Sequence, residues 1–164
     1  MLHHLSFGVA DIERACAFYD AVLAPLGYVR VWQDLRPGET GQAVGYGAPG
    51  GGDRLALKLR PDGQRPPGPG FHLAFAAPDR AAVDRFYEAA LRLGGRDNGA
   101  PGLRPHYGPH YYAAFVVDPD GYPSKPSSMR RPDRHAAETV FATPRARKRP
   151  APRSGDGPLR LDAQ

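Results

Sequence analysis

The chain contains 164 residues, of which 41% are hydrophobic, and it carries a formal net charge of +5. This length suits one ordinary domain or two small fused modules and excludes a large multidomain protein. No segment approaches the roughly 20 consecutive apolar residues of a membrane-spanning helix, and the N-terminus does not resemble a secretory signal. The single cysteine, Cys16, cannot form an internal disulfide. We therefore expect a cytoplasmic protein without a membrane partner.

The positive charge is confined to the last quarter of the sequence. Residues 122–164 contain ten basic and four acidic residues, whereas residues 1–121 contain twelve basic and thirteen acidic residues. The first part of the chain is therefore close to neutral, which is not typical of a nucleic-acid-binding surface. A basic run at residues 145–149 is the feature that would suggest nucleic acid. A nucleic-acid partner therefore ranks last among the hypotheses.

Residues 1–61 have the pattern of one β-α-β-β-β module. Residues 2–9 form an apolar, β-compatible run, and Asp11 is a suitable N-cap because its carboxylate can accept hydrogen bonds from the first helical turn. The helix that follows has an apolar face and ends near Gly27; the face comprises Ile12, Ala15, Tyr19, Val22 and Leu23. Three extended segments are then predicted, at residues 28–35, 42–48 and 54–60.

A Pro- and Gly-rich link at residues 62–70 precedes a second module at residues 71–121. The pattern predicts a strand at 71–77, a helix from the N-cap Asp79 to Gly94, an irregular stretch at 95–109 and a strand at 111–117. One more strand should follow the Asp-Pro-Asp-Gly turn, but prolines occupy positions where a strand needs amide donors. We therefore predict an incomplete second module and a disordered Arg/Pro-rich tail at 122–164.

An internal repeat relates the two modules when His4 is aligned with His72. Nine residues are identical without a gap: His4, Leu5, Phe7, Asp11, Phe18, Tyr19, Ala21, Leu23 and Gly27 align with His72, Leu73, Phe75, Asp79, Phe86, Tyr87, Ala89, Leu91 and Gly95. This number of identities in so short an alignment indicates a duplicated module. The aromatic pairs at equivalent helix positions are better explained by core packing than by a role in chemistry.

Four segments, residues 2–9, 17–27, 71–75 and 111–121, carry a family resemblance. Together they resemble the vicinal oxygen chelate superfamily of glyoxalases, bleomycin-resistance proteins and extradiol dioxygenases. The resemblance implies an α+β fold in which two βαβββ modules form a cup-shaped, open mixed sheet around a metal or ligand. In this chain the last strand of that fold is expected to be altered.

The resemblance also implies a divalent metal (Fe, Mn, Zn or Ni) held by side chains from the first and last strands of the modules. His4 and His72 match the two first-strand histidine positions. The expected acidic ligand follows the Asp-Pro-Asp-Gly turn, but no apolar-Glu-small-apolar pattern is present there, and residues 55–59 contain no carboxylate. Two imidazoles without a carboxylate should bind such an ion weakly, so metal binding is expected to be weak or absent. The alternative for each histidine is a partly buried strand residue that binds no ligand.

A shifted reading frame would account for the missing pattern. Residues 123–132 can be encoded by a nucleotide string whose alternative frame reads Ile-Glu-Ala-Val-Phe-His-Ala-Pro, which is the strand that the family has at this place. The wobble bases are a free choice in this construction, but most of the other bases are forced. The hypothesis is therefore a one- or two-base frameshift near Tyr122, natural or a sequencing error, which also explains the Arg/Pro-rich tail.

A polar aromatic segment at residues 106–112 offers a candidate substrate pocket. Its candidate residues are Tyr107, His110 and Tyr112, together with Arg104, which could pair with an anionic substrate. The alternative is a partly exposed aromatic loop with a solvated arginine. No catalytic residue is assigned.

Two functions follow from the resemblance. The first is a metal-dependent lyase, isomerase or dioxygenase acting on a small oxygenated molecule, impaired by the loss of the acidic ligand. The alternative is a metal-free module of the bleomycin-resistance type that sequesters a small ligand. A missing last strand would leave a sheet edge that a second copy of the chain could cover, so a homodimer is a candidate assembly.

Overall fold

A computed structural model describes residues 2–62 and 66–130 of the chain. In the first module, strand β1 (Leu5–Val9) leads into helix α1 (Ile12–Leu23), and a short 3-10 turn connects α1 to the three strands that follow: β2 (Val29–Asp34), β3 (Ala43–Gly47) and β4 (Leu55–Leu59). The predicted element order is confirmed, with strands a few residues shorter than expected. The described residues lie within one compact unit of the chain.

The first sheet has the order β1-β4-β3-β2, with β1 parallel to β4 and the other pairs antiparallel. One face of this sheet packs on α1, because alternate residues of β1, β3 and β4 point to it. The residues of that face that join the core include Val9, Val44, Tyr46, Leu55 and Leu57.

The second module contains β5 (Leu73–Ala76) and helix α2 (Arg80–Arg92). The stretch predicted as irregular contains two short strands, β6 (Arg96–Asp97) and β7 (Gly102–Leu103). The predicted strand at 111–117 is interrupted and forms β8 (Tyr112–Ala113) and β9 (Val116–Val117).

The prediction of an incomplete second module is wrong, because a last strand, β10 (Pro123–Ser128), is present. It pairs in parallel with β5 and antiparallel with both β8 and β9. Proline removes a donor but leaves its carbonyl, and Pro126 O accepts from Ala114 N at 3.3 Å. The neighbours on both sides therefore hold the strand even though prolines are unfavourable in the middle of a sheet. The predicted tail from residue 131 onward lies outside the described residues.

With β10 in place, the two modules have equivalent sheets. Strands β5 and β10 are paired in parallel as β1 and β4 are, with Leu73 opposite Ser124 and Leu5 opposite Leu55. The pairs β8/β9 and β6/β7 occupy the places of β3 and β2. The two sheets therefore share their strand order and their pattern of parallel and antiparallel pairs.

A shared core joins the modules. Helices α1 and α2 pack against each other, and Phe18, Tyr19 and Phe86 are each at most 1% exposed. Core packing, rather than chemistry, accounts for these three aromatic residues. Within the described part of the chain, neither helix has the length and hydropathy that a membrane span requires.

Both predicted N-caps are present. Asp11 accepts a hydrogen bond from Arg14 N at 3.0 Å, and Asp79 accepts one from Ala82 N at 2.7 Å. Each carboxylate satisfies an amide that has no partner within its helix.

Replacing the cap of α2 by Asp79→Ala should lower the free energy of unfolding by about 1 kcal/mol, because the Ala82 amide loses its acceptor. Urea unfolding measures the change. Asp79→Asn, which keeps a capping oxygen, should lose much less, and equal losses in the two variants would contradict the capping role.

Candidate functional site

The two histidines of the repeat lie immediately before equivalent strands, and both are exposed. His4 Nδ1 lies 3.0 Å from His3 Nδ1, and the two rings meet edge to face. His72 lies in the wall of a cavity described below. No hydrogen bond or ring contact joins His4 to His72 within residues 2–62 and 66–130. The two histidines are therefore equivalent in their position before a strand, and not through a contact between their side chains.

The donor set around these histidines does not fit a divalent metal. Lys125 lies on β10 opposite Ala74, and the repeat-equivalent residue on β4 is Ala56, opposite Ser6. Neither position supplies a carboxylate, and lysine brings a positive charge instead. In the part of the chain that the structure describes, no group of three or more His, Cys, Asp or Glu side chains could hold an ion.

A cavity of about 400 Å³ lies between residues of β1 and β5. Its size is within the range of small-molecule sites. Most of its wall is apolar and aromatic, and two basic residues, Arg54 and His72, belong to it. The remaining lining residues are Leu2, Leu5, Leu23, Tyr28, Tyr46, Leu55, Phe71 and the segment at residues 73–76.

Arg54 is fixed at this cavity by its neighbour in the N-terminal segment. Its Nη1 donates to the carbonyl oxygen of His3 at 3.1 Å. A guanidinium has five donor hydrogens in a fixed plane, so one such bond leaves most of them for a ligand. The cavity therefore combines a mostly apolar wall with the guanidinium of Arg54.

The four residues predicted for a substrate pocket do not line this cavity. Tyr112 is directed toward α2, where its hydroxyl donates to Asp84 at 2.8 Å. Burial is the largest cause that raises the pKa of this hydroxyl, and the hydrogen bond to Asp84 is the second. Arg104 lies over the Phe115 ring at 5.5 Å. Tyr107 is 56% exposed, and His110 is half-buried.

Lys125 is a candidate site residue that the sequence prediction missed. Its side chain is only 8% exposed, and its Nζ lies 5.2 Å from the ring centre of Tyr107, 5.6 Å from that of Tyr111 and 5.8 Å from that of Phe115. The signal was absent because residues 123–128 were not predicted to form a strand. Once β10 is in the sheet, alternation places Lys125 on the face opposite to buried Ser124.

A buried carboxylate connects the two modules. Asp118, which is 2% exposed, accepts from Tyr19 Oη at 2.6 Å and from the Asp120 and Tyr122 amides at 3.0 and 2.7 Å. Tyr122 Oη in turn donates to the carbonyl oxygen of Gly8 at 2.9 Å. Burial raises the pKa of both Asp118 and Tyr19. All of these partners are internal, so this network is structural.

A second cavity, of about 330 Å³, lies beside α1 and includes Cys16. Burial raises the pKa of the Cys16 thiol, which disfavours the thiolate needed for nucleophilic chemistry. Asp20 and Arg30, which also line this cavity, already form an ion pair with each other. This cavity therefore presents fewer reactive or unpaired charged groups to a ligand than the first.

The family model "Glyoxalase/Bleomycin resistance protein/Dioxygenase superfamily" matches residues 1–123. No curated protein matches the chain.

Solved structures of the same family are similar to the chain. A glyoxalase/bleomycin resistance protein from Albidiferax ferrireducens T118 is 30% identical, with a TM-score of 0.61 over 76% of this chain and 96% of that one. A superfamily member from Sphaerobacter thermophilus DSM 20745 is 26% identical, with a TM-score of 0.52 over 78% and 96%. Glyoxalase I from Zea mays is 21% identical, with a TM-score of 0.61, and the chain spans 45% of its length. This last similarity concerns the fold alone.

Proposed function

Because the chain belongs to the Glyoxalase/Bleomycin resistance protein/Dioxygenase superfamily, we propose that in its present form it is a metal-free binding protein for an apolar small molecule with a negative charge. The observation that carries this proposal is the 400 Å³ cavity, whose wall is mostly apolar and includes Arg54 and His72. A ligand would bury its apolar part there and place its anionic group at the guanidinium.

The chemistry of the donor set supports binding over metal-dependent catalysis. The strands β4 and β10 supply no carboxylate, and a site of this family type without one would lack compensation for the charge of an ion. Apolar enclosure, in contrast, needs no metal. Burial of about 100 Å² of ligand carbon surface contributes about 2.5 kcal/mol, and a charge-assisted hydrogen bond to Arg54 contributes about 1.5–3 kcal/mol.

The fluorescent probe 1-anilinonaphthalene-8-sulfonate combines aromatic rings with a sulfonate and tests this proposal. We expect the folded protein to bind the probe in this cavity, and calorimetry measures the affinity. Arg54→Ala should weaken binding by about tenfold, since it removes one charge-assisted contact of about 1.4 kcal/mol or more. Leu5→Trp should weaken binding by narrowing the cavity.

Arg60 provides the matched control, because it lies just after β4 as Arg54 lies just before it. Arg60 is also exposed and bonds a backbone carbonyl, that of Leu59, but it does not line the cavity. Arg60→Ala should bind the probe as the unmodified protein does. Equal weakening by Arg54→Ala and Arg60→Ala would show a general charge effect and overturn the proposal.

A metal-dependent enzyme is the second candidate. It applies to a chain in which β10 has the sequence of the alternative reading frame, with its glutamate. The observation that favours it is the equivalent placement of His4 and His72 before parallel-paired strands. Elemental analysis of the purified protein separates the two functions. Stoichiometric divalent metal that is lost in both His4→Ala and His72→Ala would overturn the metal-free proposal.

A further inference from the structure

The ammonium group of Lys125 has an unusual environment for a lysine. The side chain is 92% buried, since 8% of it is exposed, yet it forms no ion pair with any carboxylate of the described residues. Lysine is almost never buried without a partner, because removing the ammonium from water is costly. A site that holds an unpaired cation in this way has unused capacity for an anion.

Three aromatic rings take the place of a counterion. Tyr107, Tyr111 and Phe115 lie within 6 Å of Nζ, which is the range of a cation–π contact. The ring faces stabilise the ammonium but do not neutralise it. The charge therefore remains available to a ligand that reaches it.

The ring cluster around the ammonium reaches the surface of the protein. Tyr107, at 56% exposed, forms the outer part of the ring cluster.

The surrounding charge is positive. Arg104 lies over the Phe115 ring, and its Nη2 donates to Ala100 O at 2.7 Å. The carboxylate of Asp84 on α2 accepts a hydrogen bond from the hydroxyl of Tyr112. Two cations therefore flank Phe115, and one of them, Lys125, makes no hydrogen bond or ion pair with the residues that the structure describes.

We propose that Lys125, Tyr107, Tyr111 and Phe115 form a binding site for a small aromatic carboxylate, separate from the cavity at Arg54. A single available ammonium suits a monoanion, since a phosphate dianion would need further donors. The ring surfaces suit a flat apolar group next to the carboxylate. None of these four residues lines the 400 Å³ cavity, so this proposal can fail while the proposed function stands.

Benzoate is the probe, titrated into the full chain by calorimetry. Lys125→Met retains the length and apolar stem of the side chain but removes the charge, and it should weaken benzoate binding at least tenfold. Lys125→Arg should retain binding. Lys58, an exposed lysine on β4, is the matched control, and Lys58→Met should bind benzoate unchanged.

Two further measurements keep the proposal testable if Lys125→Met does not fold. In the unmodified protein, benzoate should shift the ring NMR signals of Tyr107 and Tyr111, and those signals should not move with cyclohexanol, which has no charge. Benzoate that binds in the cavity instead would be lost in Arg54→Ala and retained in Lys125→Met. That result, or unchanged tyrosine signals, overturns the proposal.

Discussion

Replacing the present β10 by the strand of the alternative reading frame is expected to raise the free energy of unfolding by about 2–4.5 kcal/mol. The variant carries Ser124→Ile, Lys125→Glu, Pro126→Ala and Ser127→Val. An isoleucine buried in place of Ser124 contributes about 1.5–3 kcal/mol. Removing a proline from a central strand restores a ladder hydrogen bond of about 0.5–1.5 kcal/mol.

The structure decides how the alternative frame aligns with the sheet. Ser124 is 2% exposed and its side chain lies beside that of Tyr19 on α1, which places position 124 on the buried, helix-facing side of the sheet. Lys125 points to the opposite face with Ala74. Isoleucine at 124 therefore matches the environment of that position, whereas a shift of one residue would bury the glutamate among the helices.

The shifted arrangement is the control. A variant with Pro123→Ile, Ser124→Glu, Lys125→Ala and Pro126→Val has the same inserted residues one position earlier, and it should unfold more easily than the first variant. Guanidinium unfolding of both variants and of the unmodified chain provides the comparison. Equal stability of the two variants would contradict the register argument.

We propose that the present β10 results from a frameshift near Tyr122. Reading the gene across this point checks the proposal directly, and an alternative frame that does not encode Ile-Glu-Ala-Val would refute it. The repaired variant provides a second check, because it places a carboxylate on the face that carries Lys125 now. It should bind stoichiometric Mn²⁺, lose it on His72→Ala, and lose benzoate binding.

Removing the carboxylate that connects the modules is expected to lower the free energy of unfolding by about 3–5 kcal/mol in Asp118→Ala. Three donors, Tyr19 Oη and the amides of Asp120 and Tyr122, lose their acceptor in a buried place. Each buried donor left without a partner costs about 1–3 kcal/mol, and partial relaxation reduces the sum. Thermal or urea unfolding measures the loss.

Asp120→Ala is the matched control for that variant. Asp120 accepts from Ala10 N at 3.1 Å and pairs with Arg14 at 2.9 Å, but the Arg14 side chain is 46% exposed. A partly solvated pair contributes little, so the loss should be about 1 kcal/mol. A loss as large as that of Asp118→Ala would show that the whole turn, rather than the buried carboxylate, carries the effect.

The pH dependence of the Asp118 contribution has a definite sign. Because burial raises the pKa of Asp118, the folded protein keeps this proton at pH values where the unfolded chain has lost it. The stability due to this group is thus complete below the unfolded pKa and falls as pH rises through the folded pKa, by at most about 1.4 kcal/mol per pH unit. The stability difference between the unmodified protein and Asp118→Asn should therefore shift against the unmodified protein from pH 4 to pH 7. A shift in the opposite direction would contradict the raised pKa.

The local signals of the sequence identified most elements of the fold. The caps Asp11 and Asp79 and the apolar periodicity of both helices depend on residues close together in the chain. Such short-range patterns report secondary structure without knowledge of the tertiary contacts. The family resemblance over residues 1–121 rests on the same patterns, and the family match confirms it.

The sequence by itself also determined which donors are available, since no carboxylate occurs in residues 55–59 or 123–128. Only the tertiary structure decided that residues 123–128 form a strand, because partners on both sides outweigh the unfavourable local preference of two prolines. The same long-range placement packs Lys125 among three rings and puts Arg54 at an apolar cavity. These contacts join residues that are distant in the chain, and no local pattern specifies them.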